Sequence, residues 1–251
     1  MWFLFRNKAN TSSIICASYT DRGNRPGENQ DSVLAIKRDD FAVFCVADGL
    51  GGHSKGELAS GEVVKMLREY TDSVSRPYKG SPVALFDGFE RTIESANRTV
   101  YEMYNNNSIC GSTVVLIVFC GGKFCVISAG DSRAYRKNGN EMIQITRDDV
   151  WENQASAIDN AVYNGKLLKS VGTSESLICN RFAGDYKNGD EFFMCSDGIY
   201  KVVGEDYIRK LPDSFRKIKS DIDAAKVLQT IHALVDANGA PDNNTGIIIK
   251  C

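Results

Sequence analysis

No apolar run in the 251-residue chain approaches the length of a membrane span. Met1 to Phe5 is apolar, but Arg6 and Lys8 follow at once. That stretch is too short for a secretory leader and carries its charges on the wrong side. The formal net charge is only -2, which offers no basic surface to nucleic acid or to anionic lipid. The eight cysteines include no Cys-x-x-Cys pair and there are two histidines, a composition that argues against a structural zinc site. Cys16, Cys45, Cys120, Cys125 and Cys195 lie in apolar, strand-like runs and read as reduced core residues, which points to the cytosol. The glycine-rich segment 49–56 fits neither nucleotide template: Ser54 stands where the dinucleotide pattern needs glycine, and no Gly-Lys-Ser/Thr follows. There is no internal repeat and no low-complexity linker. One domain spanning 1–251 is the simplest organisation, and a chain of this length buries a substantial core without staples.

The chain is organised around Asp48-Gly49-Leu50-Gly51-Gly52-His53. Before it runs Phe41 to Ala47, seven residues without a charge, as a fully buried strand requires. After it, Ala59, Val63, Met66, Leu67 and Tyr70 recur at helical spacing. A carboxylate at the end of a buried strand is costly unless its charge is matched, and the nearby glycines let a ligand approach the backbone. A cation is the simplest match; an ordinary strand-to-helix turn with an Asp cap is the alternative.

Elsewhere, residues 12–20 read as a strand, followed by a turn-rich segment with Gly23, Pro26 and Gly27. A helix is expected from about Val83 to Tyr104, with Leu85, Phe89, Ile93, Ala96, Val100 and Met103 on one face. Thr113 to Cys120 and Lys123 to Ser128 form a hairpin through Gly121-Gly122, and Asn138-Gly139 turns a second one. Residues 147–176 are polar and read as a surface excursion, partly helical. Glu191 to Cys195 is an apolar strand ending in Ser196-Asp197-Gly198. Helices are expected at Glu205–Leu211 and Asp223–Asp236, then a closing strand from Thr245 to Lys250. Many hairpin strands and a few long helices predict an antiparallel α/β (α+β) sandwich rather than a parallel βαβ sheet.

Five places share one grammar, an acid at a strand terminus inside a glycine- or asparagine-rich turn: Asp31, Asp48, Asp131, Asp197 and Asp242. Strand termini gathered at one edge would bring these carboxylates together, where they repel unless cations neutralise them. Oxygen-only ligands suit Mg2+ or Mn2+.

The segments Arg25…Asn29-Gln30-Asp31-Ser32, Val46-Ala47-Asp48-Gly49-Leu50-Gly51-Gly52-His53, Ala129-Gly130-Asp131-Ser132-Arg133-Ala134-Tyr135, Ser196-Asp197-Gly198 and Asp242-Asn243-Asn244-Thr245 resemble, in order, the motifs of the protein phosphatase 2C family, in its bacterial form. The resemblance runs from about residue 14 to 250. It implies a four-layer α-β-β-α sandwich of two antiparallel sheets and a metal-dependent Ser/Thr protein phosphatase (a hydrolase of signalling phosphoproteins). Its water would be activated at a dinuclear Mn2+/Mg2+ centre without a phosphoenzyme. It further implies that Asp48 bridges two metals, that the Gly49 carbonyl binds one, and that Asp197 and Asp242 bind the other. Asp31 would hold a water, Asp131 with Asp197 would offer a third, weaker position, and Arg25 would grip the substrate phosphate. The excursion at 147–176 corresponds to the family's flap. Phosphorylated proteins, and a Ser/Thr kinase that the enzyme opposes, are the implied partners; a monomer is expected.

The chain departs from that pattern in places. Gln30 stands where many members carry Glu, and a neutral amide is a weaker metal partner. Arg25 lies one residue further from the Asn-x-Asp than expected, which keeps Arg22 open as the phosphate ligand. Leu50 occupies the position of a His in eukaryotic members, and His53 reads as a turn residue rather than a catalytic acid. His232 reads as a boundary residue of its helix. The flap begins Arg147-Asp148-Asp149-Val150 without the usual Asp-His. Two further readings stay open: a phosphatase-like binding module with little or no turnover, and a cysteine phosphatase built on the Cys16-x5-Arg22 spacing. The second conflicts with the strand-like setting of Cys16, since such a loop needs a thiolate in an anion nest.

Overall fold

The uncharged run 41–47 becomes the centre of β3 (Phe41–Leu50), the longest strand of the molecule as described. Its alternate residues face opposite ways, as a pleated strand requires. Val43, Cys45 and Ala47 join a cluster under the helices, while Ala42, Phe44 and Val46 join one between two sheets. The computed structural model describes residues 11–51, 55–104, 110–151 and 166–251.

One sheet runs β2 (Asp31–Lys37), β3, β5 (Val114–Cys120), β6 (Lys123–Ala129) and β9 (Asn180–Asp185), with the two-residue β4 (Gly111–Ser112) paired to the end of β3. The other runs β1 (Ile15–Asp21), β11 (Asn244–Lys250), β10 (Glu191–Cys195), β7 (Arg133–Asn138) and β8 (Glu141–Gln144). Every paired neighbour is antiparallel.

Helices α1 (Lys55–Ser73) and α2 (Pro82–Tyr104) cover the first sheet with Ala59, Val63, Leu67, Leu85, Phe89 and Ile93. The second sheet is covered by α3 (Asp197–Val203), α4 (Glu205–Arg209), α5 (Pro212–Phe215) and α6 (Asp221–Ala237), which bury Ile199, Ile208, Phe215, Leu228 and Ile231. The result is the expected α-β-β-α sandwich of two antiparallel sheets. Between the sheets Phe192 meets Phe119 and Phe124 edge-on, with centroids 5.2 and 5.1 Å away. No helix among the described residues is long and apolar enough to cross a membrane.

Several expectations change in detail. The strand expected to end at Asp48 continues through Gly49 and Leu50, because β4 supplies a partner for both. The helix expected at Glu205–Leu211 is shorter: it starts after Gly204 and ends at Arg209, and Pro212 opens a separate short helix. β9 has no apolar pattern in sequence and is an edge strand held by β6. Within the excursion 147–176, residues 152–165 lie outside the described residues, but its root is no loose surface. Ser112 exchanges backbone hydrogen bonds with the fully buried Val171, and Asp149 and Ser170 are buried. His53 also lies outside the described residues.

Phe192→Ala removes the ring at the centre of the inter-sheet cluster. It should lower unfolding free energy by about 3–5 kcal/mol in urea titrations; a loss below about 1 kcal/mol would show that the sheets do not depend on this contact.

Candidate metal and catalytic site

The strand register assembles the acids. Asp31 on β2 lies directly opposite Asp48 on β3. β6 ends at Ala129, two residues before Asp131; β10 ends at Cys195, two before Asp197; and Asp242 stands just ahead of β11. The other four carboxylates are all close enough to act on Asp48. The Asp48 carboxyl is held well above the usual range, first by burial and then by Asp31, Asp197, Asp131 and Asp242. Burial likewise pushes Asp31 up to about 6, against the hydroxyls of Ser196 and Thr245, with Asp197 and Asp242 adding to the rise. Asp131 is raised by burial and then by Asp197.

A lattice of small polar side chains fixes these acids. Ser196 Oγ donates to Asp31 Oδ2 at 2.7 Å and accepts from the Thr245 amide at 3.0 Å, tying three motifs together. Asn243 Oδ1 accepts from the Gln30 amide at 2.9 Å, while its Nδ2 donates to the Arg22 carbonyl at 2.7 Å. Thr113 Oγ1 accepts from the Asp48 amide at 2.9 Å and shares a proton with Ser132 at 2.7 Å. Two glycines permit the close approach: a Cβ on Gly49 would strike the Gly56 carbonyl, and one on Gly198 would strike the Asn243 carbonyl. Sequence reasoning quoted Ser196 and Asn243 within motifs but gave them no role. Their only advance signal was a buried position beside an acid.

Cations meet part of the charge. Arg25 Nη1 donates to Asp242 Oδ1 at 2.6 Å and also lies within the field of Asp48 and Asp197. Arg22 instead points to the Gly27 carbonyl at 3.5 Å, so of the two arginines Arg25 reaches the acidic edge. Lys201, which sequence reasoning passed over, bonds Asp197 at 2.7 Å and lies 3.5 Å from Asp131. Among the described residues neither Asp31 nor Asp48 forms an ion pair. Asp31 Oδ1 and Gln30 Oε1 are buried acceptors without a hydrogen-bond donor, the arrangement an incoming cation or its water would satisfy. No three His, Cys, Asp or Glu side chains among the described residues converge on a single point as a closed cage; Asp242 and Asp197 are instead drawn toward Arg25 and Lys201.

Arg133, also unassigned from sequence, gathers the side chains where the 147–176 excursion begins. It forks onto Asp148 at 2.7 Å, pairs with Glu205, and stacks 3.6 Å above the Tyr200 ring. Asp149 accepts from the Gly130 amide at 3.3 Å and from Asn180 Nδ2 at 2.8 Å. Asp148 and Asp149 thus tie the start of the 147–176 excursion to Arg133 and to the Gly130 turn. Cys16 sits on β1, and burial raises its thiol, which removes the cysteine-nucleophile reading. His232 is a boundary residue of α6, edge-on to Tyr19 at 5.1 Å.

Fold and site together define an α-β-β-α sandwich with a carboxylate edge. The profile of the protein phosphatase 2C family matches residues 24–239, and the chain belongs to that family. It is 28% identical to the serine/threonine protein phosphatase PstP of Mycobacterium tuberculosis, over 92% of this chain and 44% of PstP; the chain thus spans under half of that relative's length. Among solved structures, PppA, described as a key regulatory component of T6SS in Pseudomonas aeruginosa, is 27% identical, with a TM-score of 0.80, over 96% of this chain and 99% of that one. The PstP catalytic domain in complex with 2 manganese ions is 25% identical with a TM-score of 0.75, over 94% of this chain and 97% of that one.

Because Asp31 is raised from 3.8 to about 6 in the folded state, its ionisation penalises folding increasingly as pH rises from about 4 through 6. In chelator, Asp31→Asn should therefore be more stable than wild type at pH 8 by on the order of 3 kcal/mol, with the gap closing near pH 4. Urea titrations at both pH values measure it; a gap independent of pH would contradict the repulsion described here.

Proposed function

We propose that the chain forms a single catalytic domain that hydrolyses phosphoserine and phosphothreonine in proteins, using two divalent cations, Mn2+ or Mg2+, at the carboxylate edge. The observation that carries this is the charge balance there. Five acids face two cations, and the two deepest acids, Asp31 and Asp48, have no ion pair among the described residues. The donor set is oxygen throughout, which suits these ions. Family membership and the manganese-bound PstP domain support the same reading.

In this reading Asp48, the Gly49 carbonyl, Gln30, Asp197 and Asp242 would hold the two ions, with Asp48 the acid common to both. Bound ions supply positive charge for the phosphoryl oxygens and lower the pKa of water. Asp31, held by Ser196 through Oδ2 and left with a buried, unpartnered Oδ1, would accept a hydrogen bond from a water held at this edge and take up its proton. Arg25 exchanges Asp242 for the substrate phosphate, which its guanidinium fork fits in pairs. The flap root, pinned by Asp149 to the backbone beside Asp131, borders the approach. No protein nucleophile takes part: burial raises the Cys16, Cys45 and Cys195 thiols. The substrates are phosphorylated proteins, a partner Ser/Thr kinase among them, and the domain works in the cytosol as a monomer.

The test is hydrolysis of a phosphothreonine peptide with Mn2+ and with chelator. Activity should require Mn2+ and fall about a thousandfold in Asp197→Asn, the several kcal/mol that a metal contributes. Arg25→Ala should lower kcat/KM roughly 10- to 100-fold, the value of a charge-assisted hydrogen bond, whereas Arg22→Ala should leave it within about twofold. Turnover that survives chelator would overturn the metal mechanism, and inactivity of the folded, manganese-loaded protein would point to a binding module instead.

A further inference from the structure

Lys201 occupies a place that an ordinary surface lysine would not. It lies one turn beyond Asp197 on α3, where an acid four residues ahead of a lysine makes a common helix pair. The same ammonium, however, also reaches Asp131, which comes from the turn between β6 and β7, 70 residues earlier in sequence. Among the described residues Lys201 is the only cation paired with Asp131, a side chain that is 10% exposed. Asp131 Oδ2 further accepts from the Tyr200 hydroxyl at 3.2 Å, and the Arg133 guanidinium stacked on the Tyr200 ring holds that ring in place. One acid oxygen therefore already has two donors, and Asp197 Oδ2 has the third contact.

We infer that Lys201 is a tethered cation that fills the position between Asp131 and Asp197, so that the edge accepts two divalent ions and not a third. The inference rests on the metal reading proposed above and sharpens it. The resemblance implied that Asp131 with Asp197 offers a further, weaker metal position, and the donor oxygens for it are present. An ammonium in contact with both carboxylates competes with any divalent ion for those oxygens, and the two cations repel at that separation. Tethering favours the lysine, which needs only a rotamer to arrive, whereas a free ion must be drawn from solution and stripped of water. Among the described residues Lys201 pairs with neither Asp48, Asp31 nor Asp242, so the two deeper positions keep those acids and their demand for divalent charge.

The test is equilibrium dialysis of the whole chain against rising Mn2+, with bound metal counted per chain. Wild type should saturate at two ions over a range in which Lys201→Ala and the near-isosteric Lys201→Met both take up a third. Adding Asp131→Asn to Lys201→Ala should remove that third ion again. Three ions on wild type would overturn the inference, and so would two on both Lys201 variants. A third ion that persists in the double variant would also overturn it, because that ion would sit elsewhere. No ion on any of these proteins would overturn the metal reading of the whole edge and this inference with it. The wild-type count stands on its own, so the result does not hinge on how well a variant folds.

Discussion

Mutual repulsion among five carboxylates at one edge of a β-sandwich is the constraint on which the rest of the structure depends. Asp31 and Asp48 are brought face to face by the register of two paired strands. A one-residue slip in that register would turn Phe44 and Val46 away from the inter-sheet core and put Val43 and Cys45 there instead. The same packing that makes the core therefore forces the acids together. Burial raises Asp31, Asp48 and Asp131, so negative charge at this edge is costly unless positive charge matches it.

Holding such an edge in place requires a rigid polar lattice rather than apolar packing. Ser196, Asn243 and Thr113 each bridge two or more of the acid-bearing turns, and each is almost wholly buried or accepts a backbone amide. Gly49 and Gly198 let neighbouring turns approach to distances that any side chain would block. Stability sacrificed to repulsion at the edge is offset by the phenylalanine-rich layer between the sheets and by two helical covers. This is the common arrangement in which a strained functional site sits on an over-determined scaffold.

Much of this was legible in the sequence, for identifiable reasons. The run 41–47 stands out as an uncharged stretch because both its faces are buried, and the helix 82–104 carries a periodic signal because one face packs on the first sheet. The five acids could be found because each stands at or near a strand terminus in a glycine- or asparagine-rich turn. β9 escaped notice because Asn180 to Asp185 is a polar edge strand whose only reason to exist is the neighbouring β6. The two-residue β4 is too short to have a period, yet it extends β3 past Asp48. Lys201 was invisible for the opposite reason: its spacing from Asp197 looks like routine helix surface, and its contact with Asp131 is purely tertiary. Arg133 was read as part of a motif, while its partners Asp148 and Glu205 come from segments that sequence spacing does not connect.

The most direct measurement is anomalous scattering from crystals grown with Mn2+. Two peaks sharing Asp48, one beside Gly49 and the other beside Asp197 and Asp242, are the predicted result. Manganese bound only away from this edge, with Asp48 left unliganded, would contradict the assignment of the carboxylates as a metal centre.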